Sequence, residues 1–197
     1  MIKEFTSYIV DWYCEKGLLR YGYSLEVYRY GFELLVSTLV NMCILIVIGI
    51  VTNSRLQAAM YCAGFVILRI FAGGYHATTH LRCIFIFNSS FLMVVFFDKA
   101  LGITDAEILL IGLALVALII VIRISPVGVG NKTTSDLLKI KNRKISIAIN
   151  TLNFFLAIIL YLGIINNIEL EDIAYYFMGN YVASMFLIIA RIKRNGG

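Results

Sequence analysis

Residues 56–97 decide the fold of this chain, because two apolar runs, LQAAMYCAGFVILRIFA (56–72) and LRCIFIFNSSFLMVVFF (81–97), flank the polar segment GGYHATTH (73–80). Each run is close to the roughly 17–25 residues that a helix needs to cross the hydrocarbon core of a membrane. Ionisable groups are costly near hydrocarbon, so those in and beside the polar segment mark a candidate functional site. A histidine followed shortly by a cysteine also indicates thiol chemistry at the membrane surface.

The composition of the whole chain agrees with a membrane protein. Of its 197 residues, 60% are hydrophobic and 15% are charged, and the mean hydropathy is +0.87. A soluble domain of this length carries more charge than this. The first long apolar run begins only at Glu33, so a cleavable signal peptide is not expected. The sequence therefore predicts one integral membrane unit.

Six apolar segments are predicted to be helices, and they define an all-α integral membrane fold. The second and third are short, so they are either tilted transmembrane helices or a partly re-entrant pair. Residues 1–32 mix aromatic and charged side chains and predict an amphipathic interfacial helix, either a plain anchor or a docking surface for an amphipathic partner. Residues 33–197 are predicted to form the membrane domain, with apolar segments at Glu33–Val51, Leu56–Ala72, Leu81–Phe97, Ala106–Ile124, Ile145–Ile165 and Asp172–Ala190.

The distribution of charge predicts the orientation. When alternate loops are assigned to opposite faces, only Arg55 and Lys99 of the 17 cations fall on one face, which also carries six of the 12 acidic residues. By the positive-inside rule the other face is cytoplasmic. We therefore expect a multi-pass protein of the cell membrane with both termini and the polar segment on the cytoplasmic side.

A bend in residues 69–83 is needed if His76 and Cys83 act together, because a regular helix would hold them about 10 Å apart along its axis. Gly73-Gly74 supplies flexibility, and Thr78 or Thr79 is a suitable N-cap for a helix starting near His80. Cys83 then lies one turn inside that helix, where His76 can accept its proton. Three alternatives stay open: His76 is an ordinary boundary residue, His80 is the base, or His76, His80 and Cys83 bind zinc.

Two cationic features flank this segment. Arg69, at the end of the second apolar run, either orients a peptide carboxylate or stabilises an oxyanion, or it extends to the membrane surface. The basic loop predicted at residues 123–144 serves either topology and anionic lipid or the binding of an acidic segment of a peptide substrate. The residues that would bind such a substrate tail are Lys132, Lys139, Lys141, Arg143 and Lys144.

The pattern Arg69-x4-Gly74-x-His76-Ala77-x5-Cys83 resembles the accessory gene regulator B (AgrB) family of Gram-positive bacteria, and the similarity extends over the whole chain. Members of that family are membrane cysteine endopeptidases that process the quorum-sensing propeptide AgrD. The resemblance implies that Cys83 is the nucleophile and His76 the general base, with Arg69 and Gly74 supporting the site. It also implies a homodimer with a cytoplasmic active site that uses no cofactor or metal and binds no nucleic acid.

The implied reaction is cleavage of the propeptide's C-terminal tail through a Cys83 thioester. A side chain of the peptide then displaces Cys83 and closes a cyclic thiolactone or lactone. Two other functions remain as alternatives: a metal-binding membrane protein or transporter that uses His76, His80 and Cys83, and a non-catalytic peptide exporter or chaperone. The sequence does not reveal the ring size, the ring nucleophile or whether the product is exported.

Overall fold

The computed structural model describes residues 2–17, 25–73, 80–102, 107–127, 136–163 and 170–195. The named elements in these ranges are all helices, which confirms the predicted all-α membrane class. Five of them are long and apolar enough to cross a membrane, and a shorter apolar helix covers Ile108–Ile124. The helices are α1 (Ile2–Glu15), α2 (Leu25–Val51), α3 (Arg55–Ala72), α4 (His80–Leu101), α5 (Glu107–Ile124), α6 (Asp136–Tyr161) and α7 (Leu170–Asn195).

Helices α2 and α6 start well before the apolar runs from which they were predicted. Helix α2 begins at Leu25 rather than near Glu33, and α6 begins at Asp136 rather than near Ile145. From Asp136 onward, the basic segment predicted as a loop is therefore helical. Hydropathy marks only the part of a helix that lies in hydrocarbon, whereas backbone hydrogen bonding continues the helix into its polar flank.

The chain divides into two compact units, residues 1–47 and residues 48–197. In the first unit, Arg29 Nη2 lies 2.8 Å from Asp11 Oδ1 and joins α1 to the start of α2. This hydrogen bond, and the charge of the Asp11 carboxylate, raise the pKa of Arg29 above its usual value. The rings of Tyr13 and Phe32 also meet, with centroids 5.7 Å apart.

Helix α1 exposes aromatic side chains on one face. Phe5, Tyr8 and Trp12 are 58%, 74% and 46% exposed, at a spacing of three and four residues. Residues at this spacing lie on one side of a helix. Thr6 and Val10, between them in sequence, are fully buried. This segregation has the form expected of an interfacial helix, whose aromatic side chains favour the boundary between water and lipid.

In the second unit, α3 and α7 cross at two glycines. A Cβ atom added to Gly64 would overlap the backbone carbonyl oxygen of Tyr176, and one added to Gly179 would overlap that of Tyr61. Small residues at a helix crossing let the two backbones come close together, which is the usual way in which membrane helices gain packing contacts. The crossing fixes α3 against α7.

Helices α5, α6 and α7 enclose an apolar cluster, defined here as Leu110, Ala114, Ala157, Leu160, Ala174 and Phe177. The end of α6 thus lies beside the start of α7, so these two helices are antiparallel. Nearby, the Tyr175 hydroxyl donates to Asp98 Oδ2 at 2.8 Å, and Lys99 Nζ donates to the Thr52 carbonyl at 2.6 Å. These contacts hold the end of α4 to α7 and to the turn before α3, away from the polar segment.

Candidate functional site

Arg69 lies in the last turn of α3, which ends just before the polar segment. The Gly73 amide donates to the Arg69 carbonyl at 3.1 Å and closes the helix. Gly73 adopts φ 76°, a left-handed conformation that glycine reaches without steric cost. The chain therefore turns away from α3 four residues after Arg69 and leaves this side chain at the edge of the bundle.

Aromatic side chains set the register between α3 and α4. Tyr61 contacts Phe91, with ring centroids 5.3 Å apart, and Phe65 contacts Phe87 at 4.6 Å. From the first contact to the second, the position advances four residues along α3 and goes back four residues along α4. This is expected for antiparallel helices whose facing residues recur every turn. The Tyr61 hydroxyl shares a 2.8 Å hydrogen bond with Ser90. This side of α3 is therefore aligned with α4 over successive turns.

The next contact in this register joins Arg69 to Cys83. Arg69 Nη2 lies 4.0 Å from Cys83 Sγ, and both side chains are partly buried. The guanidinium carbon of Arg69 also lies 5.5 Å from the centroid of the Phe65 ring, and this cation–π contact holds the guanidinium in place. A guanidinium N–H in this position is placed to donate a long hydrogen bond to the thiol sulfur, which is a weak acceptor.

Helix α4 begins at His80, where the sequence predicted a helix start. Cys83 therefore lies in the first turn, at the end where the helix dipole favours negative charge. The neighbouring Arg82 is exposed and adds a second cation at this end. The first turn of α4 and the contact from Arg69 thus meet at the same residue, Cys83.

A backbone pairing joins the end of α3 to the residues that follow α5. The Val127 amide donates to the Ala72 carbonyl at 3.0 Å, and Gly73 and Val127 form a parallel bridge. Val127 therefore lies beside Gly73, so the ends of α3 and α5 meet at one face of the bundle. Charge alternation predicts that the connections after α3 and α5 leave on the same side, but the pairing of Val127 with Ala72 has no signal in the sequence.

Two side-chain contacts hold Val127 in place. Ser125 Oγ and Ser146 Oγ share a buried 2.8 Å hydrogen bond between the end of α5 and α6. Arg143 Nη2 donates to the Ile122 carbonyl at 3.2 Å, which satisfies a carbonyl in the last turn of α5. Arg143 therefore stabilises the α5–α6 corner, a role that the sequence did not indicate.

The predicted site residues fall into three groups. Arg69 and Cys83 lie together, as described above. The side chains of Lys139, Lys141 and Lys144 are exposed on the first turns of α6. Gly74, His76, Lys132 and the side chain of His80 lie outside the described residues, so the base, the hinge and the zinc alternative stay predictions.

The structure also describes the other three cysteines. Cys14 and Cys43 are exposed and Cys62 is partly buried, and all three are free thiols. Cys62 is on α3, two turns from Arg69, which makes it a useful control residue. Among the residues that the structure describes, no group of three possible metal ligands occurs.

The family model of accessory gene regulator B matches residues 2–190, nearly the whole chain. The chain belongs to the accessory gene regulator B family. This finding confirms the resemblance seen in the motif and topology. No curated protein and no solved structure matches the chain.

Membership in the AgrB family establishes a general role. The protein acts in autoinducer processing as a peptidase-like processing protein. It works with an AgrD-type propeptide and is a multi-pass membrane protein.

Proposed function

We propose that this AgrB protein is a membrane cysteine endopeptidase in which Cys83 attacks the propeptide and His76 acts as the general base that accepts the Cys83 thiol proton. The observation that carries the proposal is the 4.0 Å separation of Arg69 Nη2 from Cys83 Sγ. A sulfur at a helix start and beside a guanidinium is suited to nucleophilic attack, because both neighbours stabilise its negative charge. His76 lies in the segment between the two helices, within the chain that connects this pair.

The reaction proceeds in two acyl transfers. His76 accepts the Cys83 thiol proton, the sulfur forms a bond to a peptide carbonyl carbon, the C–N bond breaks, and the tail leaves as an amine that takes this proton from His76. A thiol side chain of the same peptide then gives its proton to His76 and attacks the thioester, which closes a thiolactone and displaces the Cys83 sulfur, and the sulfur takes the proton back from His76. A serine hydroxyl in that position would give a lactone. Ring closure is intramolecular, which favours it over hydrolysis.

The face of the bundle at which α3 and α5 end, called here the polar face, supplies the remaining elements of the proposal. Val127 pairs with Ala72, so the chain that carries Lys132 starts beside the polar segment, and Lys139, Lys141 and Lys144 follow on α6. These cations attract an acidic segment of the propeptide and bring its scissile bond to Cys83. We further propose that this face is cytoplasmic, as the positive-inside rule indicates, and that the protein works as a homodimer.

The decisive experiment is co-expression of this protein with a candidate propeptide encoded nearby, followed by mass spectrometry. In the wild-type protein we expect an acyl adduct on Cys83. Cys83→Ala should lose tail release, whereas Cys62→Ala, the matched control, should keep it. His76→Ala should also abolish cleavage, whereas His80→Ala should not. Tail release by Cys83→Ala would refute the proposal, and stoichiometric zinc that is lost in His80→Ala would favour the metal-binding alternative.

A further inference from the structure

Three buried asparagines interrupt the apolar interior between α6 and α7. Asn150, Asn153 and Asn180 are only 1%, 7% and 2% exposed. On α6, Ser146, Asn150 and Asn153 recur at helical spacing and share one face. We call the set of Ser146, Asn150, Asn153, Tyr176 and Asn180 the polar seam.

Hydrogen bonds link parts of the polar seam. Asn150 Nδ2 donates to the Ser146 carbonyl at 3.0 Å, and the Tyr176 hydroxyl donates to Asn153 Oδ1 at 3.1 Å. Because α6 and α7 are antiparallel, Asn150 and Asn180 are displaced in the same direction from the Tyr176–Asn153 contact. At about 1.5 Å per residue the displacements are roughly 4.5 and 6 Å, which puts the two amides at similar depth.

Three amide atoms in the polar seam lack partners. Asn150 Oδ1, Asn153 Nδ2 and Asn180 Nδ2 make no hydrogen bond to any residue that the structure describes. They have almost no accessible surface, so in this arrangement no water touches them. Buried amide groups in proteins are nearly always paired with protein or with water. The closed seam is therefore an unfavourable arrangement for these three atoms.

Two helices flank the polar seam. The backbones of α6 and α7 stay apart, while α3 and α5 each pack against both of them. Towards the start of α7, the apolar cluster of Ala157 and Phe177 closes the seam. Towards the other end, Ser146 bonds to Ser125, two residues before the Val127 pairing at the polar face. The Ser146 end of the polar seam is therefore the end nearer the Val127 pairing.

We propose that the polar seam opens as a one-ended cleft that admits water from the face of the polar segment to the level of Asn153. Two free donors and one free acceptor match the hydrogen-bonding capacity of water, which accepts two bonds and donates two. The Ser146 end lies about 10 Å from Asn153 along α6, at 1.5 Å per residue, so the cleft reaches well into the bilayer. The proposal does not depend on the chemistry of Cys83.

Cysteine accessibility tests the cleft directly. In a chain whose four native cysteines are replaced, we compare Asn150→Cys and Asn153→Cys with Ala157→Cys and Leu152→Cys, using a charged methanethiosulfonate. Ala157 continues the same face into the apolar cluster, and Leu152 is exposed on the outer side of the helix. Thiolates form where water reaches. Asn150→Cys and Asn153→Cys should therefore react about tenfold faster than both controls. Equal rates at all four positions would overturn the proposal.

Two further measurements guard against altered folding. Adding Asn180→Leu to Asn153→Cys removes a polar wall of the cleft and should slow labelling several-fold; unchanged labelling would contradict the assignment. In the wild-type protein, water-edited solid-state NMR with labelled asparagine should show rapid transfer from water to the Asn150 and Asn153 side chains. Slow transfer, equal to that of the methyl group of Ala157, would mean a permanently dry seam and end the proposal.

Discussion

The Val127 amide donates a hydrogen bond to the Ala72 carbonyl over 3.0 Å, so two connections that are distant in sequence leave the bundle at one point. One connection leads to His76 and Cys83, and the other leads to the cations of α6. A peptide that contacts both would be held at two places at once, which favours a defined scissile bond over random cleavage.

The cations of α6 should fall into two functional classes. We expect Lys141→Gln and Lys144→Gln to weaken propeptide binding by roughly threefold to tenfold at low salt, because exposed charges attract an acidic segment. The effect should shrink in high salt, where these charges are screened. Binding of a fluorescent propeptide at two ionic strengths measures it.

Arg143→Gln serves as the internal comparison, because Arg143 bonds to the last turn of α5. Loss of this side chain should lower the melting temperature, and the effect of the substitution should depend little on the salt concentration. A salt-sensitive binding defect in Arg143→Gln, or none in Lys141→Gln, would contradict the division.

Replacing Arg69 should slow processing without unfolding the protein. Arg69→Gln removes the charge beside the Cys83 sulfur, and we expect a loss of about 10- to 100-fold in cleavage rate, as for other groups that stabilise developing charge. Arg69→Lys should retain part of the rate. Alkylation of Cys83 by iodoacetamide at fixed pH should slow in Arg69→Gln and stay unchanged in Arg55→Gln at the far end of α3. An unchanged alkylation rate in Arg69→Gln would remove Arg69 from the site.

The α3–α7 crossing should not tolerate a methyl group. Gly64→Ala and Gly179→Ala place a Cβ against a backbone carbonyl, and overpacking of this kind typically costs about 1–3 kcal/mol. Gly112→Ala is the matched control, because nothing lies within 4 Å of its Cβ position on α5. Thermal unfolding in detergent should show a lower midpoint for the first two variants only, and a normal midpoint in Gly64→Ala would argue against this crossing.

Reporter fusions test the orientation. A reporter fused after Gly197 should be cytoplasmic, and one inserted near Asn166-Asn167 should appear outside, since cations predominate on the face of the polar segment. The reverse pattern would place Cys83 on the outer side and separate it from a cytoplasmic propeptide.

The sequence alone determined the helical membrane class, the number of apolar segments and the AgrB motif. The length of an apolar run is a local property, so each membrane helix can be predicted from its own residues. The start of α4 near His80 was predicted from a different local signal, a threonine at position 78 or 79 that is suited to cap a helix. Helix starts in polar flanks, such as Leu25 and Asp136, were missed because hydropathy does not report them.

Only the tertiary structure decided which side chains meet. The Arg69–Cys83 contact depends on the register of α3 and α4, and that register is set by contacts of Tyr61 and Phe65 with distant aromatic residues. The crossing at Gly64 and the gathering of asparagines between α6 and α7 likewise depend on how helices pack. Periodicity along one helix specifies a face, but which partner covers that face is determined by the packing of all the helices together.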